Sequence, residues 1–511
     1  MNSALSILLF AAGSLALAAP SRAQGDPAPA QKEVAPAPAP PAPAAPVPPP
    51  TISVTRHSGT FGGQRMRYVA TAGETYLKAE DGTPKASIFS IAYVKEPRDP
   101  NRPVAFLFNG GPGSGSLWLH MGAFGPKRVA IPSDARDDGA PPFPIVDNPD
   151  SLLDVTDIVF IDPVGTGFSH ALGKTEAKEY WGVTADAKSV AEFIRIWLGS
   201  NGRWNSPKFL GGESYGTTRS AAVVNQLEGA FNDVSLNGIL LISTILDFGA
   251  QANVPGNEMP YVLFLPSMAA AAHHHGKAPA DAGTLEAFVE QAREFAIGDY
   301  ASALLKGQAL PAAERASIRQ RLARFTGLSE RFLEDADLRV SDGRFYKELL
   351  RDRGLTIGRL DARYTGRDYD KAGEEPDNDP SFYGIDAGYT AALNQWVRGG
   401  LGYRTDRQYV TIGGVGDWDW NIGKGDLTYY RNVAPYIGKA MRENDDLRIF
   451  VGQGYFDFAT PFFGAEYSLS RTGIPQDRVE YRYYGSGHMM YVRDEDRVQL
   501  SRDIRDFIRR R

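Results

Sequence analysis

The sequence predicts an α/β fold with a mostly parallel central sheet flanked by helices. Residues 104–108 form an apolar run that ends at a Gly-rich loop, and residues 209–216 have the pattern of a buried strand that turns into a helix. A third apolar run, at 447–451, ends shortly before Asp457. Short apolar runs bounded by turn residues are typical of strands buried inside a sheet.

The segment 209–216 carries the most specific of these signals. Ser214 stands between Gly212 and Gly216, which is the G-x-S-x-G pattern of a nucleophile elbow. A serine hydroxyl is a poor nucleophile, so it must stand clear of the sheet where an imidazole can take its proton. Because the chain holds 54 glycines, the spacing alone also fits an ordinary strand-to-helix loop.

Two further reactive side chains follow along the chain. Asp457 comes just past the run 447–451, and His488 lies in the Gly-rich turn 484–489. The order Ser, Asp, His is the order of the α/β-hydrolase fold and differs from the orders in chymotrypsin and subtilisin. His488 is expected to take the proton of Ser214 while Asp457 orients the imidazole ring. The alternative for Asp457 is a loop or capping carboxylate.

The sequence resembles the serine carboxypeptidase family at four motifs, which occur in the family's order. These are N-G-G-P-G at 109–113, I-D-P-V-G-T-G-F-S at 161–169, G-E-S-Y-G at 212–216 and G-H-M at 487–489. The resemblance runs from about residue 60 to the C-terminus and is weakest in the middle. It implies the α/β-hydrolase fold, and the chain is identified as a secreted bacterial member.

The resemblance also implies the catalytic groups. Ser214 is implied as the nucleophile, His488 as the base and Asp457 as the acid that orients it. The backbone N–H groups of Gly111 and Tyr215 are implied as the oxyanion hole. Removing one such donor typically costs about 3 to 4 kcal/mol of transition-state stabilisation.

Recognition of the substrate's C-terminal carboxylate is implied for Asn109 and Glu213. Their alternatives are a turn-stabilising amide and a solvated loop charge. Relatives pair this glutamate with a second one, but Ala123 occupies that position and no acid occurs in 117–126. Without a second carboxyl, Glu213 lacks the repulsion that would keep it protonated, and an ionised Glu213 would repel a carboxylate. We therefore expect His120 or another donor to bind the carboxylate, or a specificity relaxed towards a broader peptidase or esterase.

The N-terminus predicts secretion, most simply to the periplasm. Residues 5–19 form an apolar run of signal-peptide length, and 21–23 offer a small-x-Ala cleavage site, so residues 1–23 are interpreted as a signal peptide. The alternatives are an uncleaved anchor or a lipid-free peripheral attachment, because no Lys or Arg precedes the run. Residues 24–50 are a Pro/Ala-rich linker expected to be disordered, and no later apolar stretch is long enough to span a membrane.

The remaining chain is divided by an expected insertion. Residues 51–250 and 391–511 are the predicted parts of the hydrolase core, and 251–390 are a predicted, largely helical cap over the active site. Helical spacing of apolar residues in the cap occurs at 285, 288, 289, 292 and 295 and again at 318, 322 and 325. Residues 496–511 are expected to form a terminal amphipathic helix.

Composition excludes several chemistries. The chain has no cysteine, so neither a disulfide nor a thiolate nucleophile is available. A net charge of −6 offers no basic surface for nucleic acid. His273, His274 and His275 resemble a metal site, but no nearby Cys or paired acid completes a tetrahedral ligand set. We predict no metal and no cofactor.

The resulting functional prediction is a serine carboxypeptidase-like peptidase that acts on peptide or protein substrates through an acyl-enzyme. An acyltransferase or esterase on the same scaffold is the second prediction, since only the group attacking the acyl-enzyme differs. A catalytically silent binding protein of the cell envelope is the third. The sequence leaves the oligomeric state open.

Overall fold

The computed structural model describes residues 47–228, 233–422 and 431–510. The predicted signal peptide and most of the predicted linker lie outside these residues. Within them, the strands are β1 (Ile52–Phe61), β2 (Gln64–Lys78), β3 (Pro84–Glu96), β4 (Val104–Phe108), β5 (Lys127–Val129), β6 (Ile145–Asp147), β7 (Asp157–Ile161), β8 (His170–Ala171), β9 (Lys208–Ser214), β10 (Gly238–Thr244), β11 (Thr356–Ile357), β12 (Thr365–Gly366), β13 (Arg448–Gly454) and β14 (Val479–Tyr484).

Helices cover both faces of the sheet and fill the segment between β10 and β13. They are α1 (Val183–Asn201), α2 (Tyr215–Leu227), α3 (Met259–His274), α4 (Leu285–Phe295), α5 (Ala301–Lys306), α6 (Ala312–Thr326), α7 (Glu330–Asp335), α8 (Asp342–Glu348), α9 (Pro380–Tyr383), α10 (Asp386–Gln395), α11 (Ala434–Glu443), α12 (Phe462–Leu469) and α13 (Asp494–Arg509). Among the helices of the described ranges, none combines the length and apolar composition that crossing a membrane requires.

The central sheet has the strand order β1-β2-β3-β7-β4-β9-β10-β13-β14, with β8 paired to β3. Six neighbouring strands of this order, β7, β4, β9, β10, β13 and β14, run parallel to one another. The strands β1, β2 and β3 join them as an antiparallel extension. The prediction of a mostly parallel sheet flanked by helices is therefore confirmed. Because β4, β9, β13 and β14 are parallel, the segments that follow them all begin at one edge of the sheet.

Alternating side chains of the parallel strands bury two separate cores. Leu240 of β10 packs on one face with Leu500 of α13. Leu241, its neighbour, packs on the opposite face with Val190 of α1 and Val224 of α2. Strands covered on both faces are apolar throughout, which is why the sequence shows continuous apolar runs rather than alternation. The predicted terminal helix is confirmed, since Leu500 lies on the buried side of α13.

The segment between β10 and α11 is largely helical and has a hydrophobic core of its own. Phe288 of α4 and Phe325 of α6 lie in this core, as the helical spacing predicted. Phe456 and Phe458, which follow β13, belong to the same cluster. The predicted boundary at residue 390 falls inside α10. The two residues that flank Asp457 are thus anchored in the core of the helical segment.

Candidate active site

A cavity of about 440 Å³ opens where the loops after the parallel strands meet. The predicted site residues that line it are Asn109, Gly111, Glu213, Ser214, Tyr215 and His488. Asn109 and Gly111 follow β4, Ser214 ends β9 and His488 follows β14. The structure therefore brings six of the seven predicted site residues to one cavity, and the seventh, Asp457, lies buried behind it.

Ser214 occupies a strained turn between β9 and α2. Its backbone has φ +61° and ψ −130°, in a region that residues with a side chain rarely adopt. A side chain at Gly212 is excluded, because its Cβ would lie 2.0 Å from the carbonyl oxygen of Gly216. The flanking residues Glu213 and Tyr215 are buried while Ser214 is partly exposed. The hydroxyl thus stands clear of the sheet, as the elbow pattern predicted.

The Gly-rich loop after β4 packs directly on this turn. A Cβ at Gly110 would lie 2.5 Å from the backbone nitrogen of Tyr215 and 2.7 Å from the carbonyl oxygen of Glu213. Gly111 has φ +103°, which favours glycine. Only a bare backbone allows the loop to approach so closely, so the N–H groups of Gly111 and Tyr215 can face one cavity.

A buried arginine holds the loop in place from beneath. Arg219 of α2 donates to the carbonyl oxygen of Asn109 at 2.5 Å and to the carboxylate of Asp186 in α1 at 2.6 Å. Its guanidinium also lies over the rings of Phe108 and Tyr215. One side chain therefore connects α1, α2 and the loop after β4.

Asp457 and His488 form a buried hydrogen-bonded pair. The Nδ1 atom of His488 lies 2.8 Å from Oδ2 of Asp457. The carboxylate also accepts from the hydroxyl of Thr460 at 2.7 Å and from the backbone N–H groups of Ala459 and Thr460. Asp457 therefore caps its own loop as well as orienting the imidazole, so the two interpretations of this residue are compatible.

Opposing effects set the protonation of His488. Burial disfavours the imidazolium, but the negative charge and hydrogen bond of Asp457 outweigh it and raise the pKa of His488. Because Nδ1 donates to Asp457, Nε2 is left as the acceptor that faces the cavity. Ser214 lines the same cavity, although no hydrogen bond joins it to His488 within the described residues. Such bonds are often long in ligand-free enzymes and shorten when substrate binds.

Glu213 is buried beside the serine and bonded to Asn109. The Nδ2 atom of Asn109 donates to Oε1 of Glu213 at 2.9 Å, while Oε2 has no hydrogen-bond partner in the described chain. Burial raises the pKa of Glu213 to about 7, against the opposing charge of His488. The sequence pointed only to the missing repulsion of a second carboxyl, whereas burial favours the protonated form of Glu213 for a different reason.

His120 does not reach the cavity. The residue lies with Ala123 in the buried π-helical turn Leu119–Phe124. Its ring is hydrogen bonded to the hydroxyl of Tyr93 at 2.7 Å and stacks on Phe160. Burial lowers the pKa of His120 to about 3, so the ring is neutral. The expectation that His120 binds a substrate carboxylate is wrong.

A segment that the sequence analysis missed lies against both the Asp457 and His488 loops. The backbone N–H of Phe458 donates to the carbonyl oxygen of Arg359, and that of His488 donates to Leu360 at 2.6 Å. The N–H of Ala362 donates to the carbonyl oxygen of Phe456. These are backbone bonds, which any residue type can form, so no sequence signal pointed to them. Segment 359–362 thus helps to position the loops that carry Asp457 and His488.

Asp361 adds a side-chain contact to this arrangement. Its carboxylate accepts from the backbone N–H of Gly487 at 3.0 Å and pairs with Arg363 at 2.6 Å. Both partners of the ion pair are nearly buried. The residue before the catalytic candidate His488 is therefore tied to the insertion by a charge-assisted hydrogen bond.

The three consecutive histidines have other contacts. His273 is bonded to the carbonyl oxygen of Gly283 at 3.0 Å, and His275 to that of Ala362 at 2.7 Å. No group of three or more His, Cys, Asp or Glu side chains in the described ranges is arranged to hold a metal ion. The His275 contact instead joins α3 to the segment that supports the two loops.

The sheet order and the elbow define the α/β-hydrolase class. In this fold the chain resembles the prohormone-processing carboxypeptidase Kex1(Delta)p of Saccharomyces cerevisiae, with a TM-score of 0.50, 15% identity and coverage of 86% of this chain and 91% of that one. The α/β-hydrolase fold predicted from the order Ser, Asp, His is confirmed.

The family supported by sequence is that of the serine carboxypeptidases. The sequence model of the family described as serine carboxypeptidase matches residues 71–275 of this chain. In Arabidopsis thaliana, serine carboxypeptidase-like 13 is 27% identical over 172 residues, which are 33% of this chain and 38% of the relative. Serine carboxypeptidase-like 7 is 33% identical over 126 residues, which are 24% and 28%. The chain therefore spans less than two fifths of the length of these curated relatives. The matched segment holds Ser214, whereas Asp457 and His488 lie beyond it.

Replacing Gly110 by Ala should disrupt the elbow. The new methyl group would overlap the backbone at Tyr215 and Glu213, which cannot move without breaking the turn. We expect Gly110→Ala to lower the free energy of unfolding by about 3 kcal/mol, near the upper end for overpacking. Urea unfolding measures this. Gly399→Ala is the matched control, since a Cβ there meets open space. Equal stability of the two variants would contradict the packing described above.

Replacing Asp361 by Asn should loosen the turn that holds His488. The change leaves the nearly buried Arg363 without its ionic partner, a loss that typically costs about 3 to 5 kcal/mol. The free energy of unfolding, measured in urea, should fall, and so should the rate at which a fluorophosphonate labels Ser214. The control Asp352→Asn breaks the exposed pair with Lys277 and should change stability by about 1 kcal/mol or less. Labelling at the wild-type rate in Asp361→Asn would show that the turn does not need this contact.

Proposed function

We propose that the protein is a serine-type carboxypeptidase-like peptidase that hydrolyses peptide bonds near the C-terminus of its substrates. The observation that carries the proposal is the bond between His488 and Asp457 beside the cavity that Ser214 lines. Further support comes from the family match over 71–275 and from the names of the relatives. The substrate class follows from this family likeness and the chemistry from the geometry.

The proposed reaction begins with attack of the Ser214 hydroxyl on a peptide carbonyl carbon. His488 accepts the hydroxyl proton at Nε2, and Asp457 stabilises the resulting imidazolium. The C–N bond then breaks as His488 returns the proton to the leaving amine. A water molecule, deprotonated by the same imidazole, attacks the ester and releases the second product. No cofactor is needed for these steps.

The negative charge on the carbonyl oxygen is assigned to two backbone donors. Tyr215 is the first residue of α2, so its N–H has no acceptor within the helix and lies at the positive end of the helix dipole. Gly111 offers the second N–H from the opposite loop. Each donor is expected to contribute about 3 to 4 kcal/mol to the transition state.

The proposal extends to the organisation of the chain. The helical segment 251–390 is proposed as a cap, since Arg359 and Leu360 line the cavity and its core includes Phe456 and Phe458. Secretion to the periplasm is proposed from the signal-peptide pattern of residues 1–23 and the linker 24–50. The proposed secretion agrees with a peptidase that meets its substrates outside the cytoplasm.

Covalent labelling of Ser214 tests the enzymatic proposal directly. A fluorophosphonate should modify the wild-type protein at Ser214, and Ser214→Ala should abolish the modification. His488→Ala should slow labelling by about 10⁴-fold, because the hydroxyl loses its base. Peptide mass spectrometry locates the label, and Ser470→Ala, an exposed serine, serves as the control. A wild-type protein that stays unlabelled would favour the envelope binding protein over the enzyme.

The pH dependence should respond to Glu213. His488 acts as a base only when neutral, so activity falls as the pH drops through the raised pKa of His488, above 6.5. The charge of Glu213 contributes to that increase. Glu213→Gln should therefore move the acidic limb of kcat/KM to lower pH on an ester substrate without a carboxylate. The control Glu374→Gln, an exposed position, should keep the wild-type limb. An unshifted limb in Glu213→Gln would mean that the two groups are not coupled.

A further inference from the structure

Arg359 places a positive charge in the wall of the cavity. Four side chains that line this cavity can carry charge, namely Glu213, Arg359, Asp379 and His488. Among the described lining residues, Arg359 alone is permanently cationic, since an arginine keeps its proton at any physiological pH. Its side chain is exposed and forms no salt bridge with another described residue. The guanidinium is therefore free to bind an anion that enters the cavity.

The backbone of Arg359 is held while its side chain is free. Its N–H donates to Oδ1 of Asp379 at 3.0 Å, and its carbonyl oxygen accepts from Phe458 at 3.1 Å. Asp379 is occupied in turn, because its oxygens also accept from the backbone N–H groups of Leu360 and Ser381. The fixed backbone aims Arg359 at the cavity without neutralising its charge.

Arg359 also lies on the side of the base. Leu360, the next residue, accepts the backbone N–H of His488 at 2.6 Å. Arg359 and His488 line the same cavity, and the positive charge of Arg359 acts to lower the pKa of His488. The oxyanion donors Gly111 and Tyr215 belong to other loops. Arg359 therefore borders the part of the cavity where a leaving group departs.

The chemistry of the reaction makes this position significant. His488 must return its proton to the amine nitrogen of the departing residue. When that residue is C-terminal, its carboxylate is only two bonds from the nitrogen, through N–Cα and Cα–C. A group that recognises the free C-terminus must therefore lie next to the base. Glu213 can donate a hydrogen bond when protonated, but it supplies no positive charge, because its carboxyl is neutral or negative at every pH.

We propose that Arg359 binds the C-terminal carboxylate of the substrate and so compensates for the missing second glutamate at Ala123. The inference rests on the proposed peptidase function and specifies its substrate end. The planar guanidinium can donate two parallel hydrogen bonds to a carboxylate, which an ammonium group cannot match. Asn109, which follows β4, and Glu213, near the end of β9, then complete the site.

Binding measurements test this assignment apart from catalysis. In a Ser214→Ala background, calorimetry compares two peptides that differ only in a free or an amidated C-terminus. We expect the free acid to bind about 10- to 100-fold more tightly, the range for one charge-assisted interaction. Adding R359Q should reduce this ratio to near one, and R359K should retain part of it. R367Q, which alters an exposed arginine of the same segment outside the cavity, should keep the full ratio.

Two outcomes would overturn the assignment. In the first, the free-acid and amidated peptides bind equally well before Arg359 is changed. In the second, R359Q unfolds at the wild-type temperature and still binds the free acid as selectively as the protein with Arg359 does. The second would assign the carboxylate to Asn109 and Glu213 instead. Fluorophosphonate labelling of the wild-type protein reports separately on the proposed peptidase. A protein that discriminates the peptides but resists labelling would keep Arg359 as a carboxylate site and refute the enzyme.

Discussion

The left-handed backbone of Ser214 is the constraint on which the rest of the site depends. A residue with a side chain in this conformation costs on the order of 1 to 3 kcal/mol, so the surroundings must hold it there. β9 and α2 fix the two sides of the turn, and Gly110 closes on it from the neighbouring loop. The same contact that maintains the strain also brings Gly111 opposite Tyr215. The position of the Ser214 hydroxyl and the positions of Gly111 and Tyr215 thus depend on the same packing contact.

Asp457 and His488 are positioned by other contacts than Ser214. Asp457 and His488 lie on loops after β13 and β14, and segment 359–362 of the insertion bonds to both. Phe456 and Phe458 anchor the acid's loop in the hydrophobic core of the helices. Segment 359–362 therefore contributes to how the two loops meet. A change in the helices of the insertion can alter the alignment of the imidazole without touching the sheet.

The sequence predicted what local pattern encodes and missed what tertiary contact creates. Ser214 could be found because the glycines that the turn requires are its immediate neighbours. Residues 359–362 could not be found from the sequence, because backbone hydrogen bonds to distant loops do not depend on the type of side chain. The effect of burial on Glu213 could not be predicted for a related reason, since burial is a property of the fold and not of adjacent residues. The expectation for His120 was wrong because its partners, Tyr93 of β3 and Phe160 of β7, are distant in the sequence.

The place of β14 in the sheet has a consequence for the timing of assembly. Among the described strands of the sheet, β14 comes last along the chain and forms an outer edge, and His488 follows it. A chain that has not yet docked β14 already contains the serine turn but has no imidazole beside it. Reactivity therefore requires β14 to dock, and a molecule without this strand in place holds only an inert alcohol.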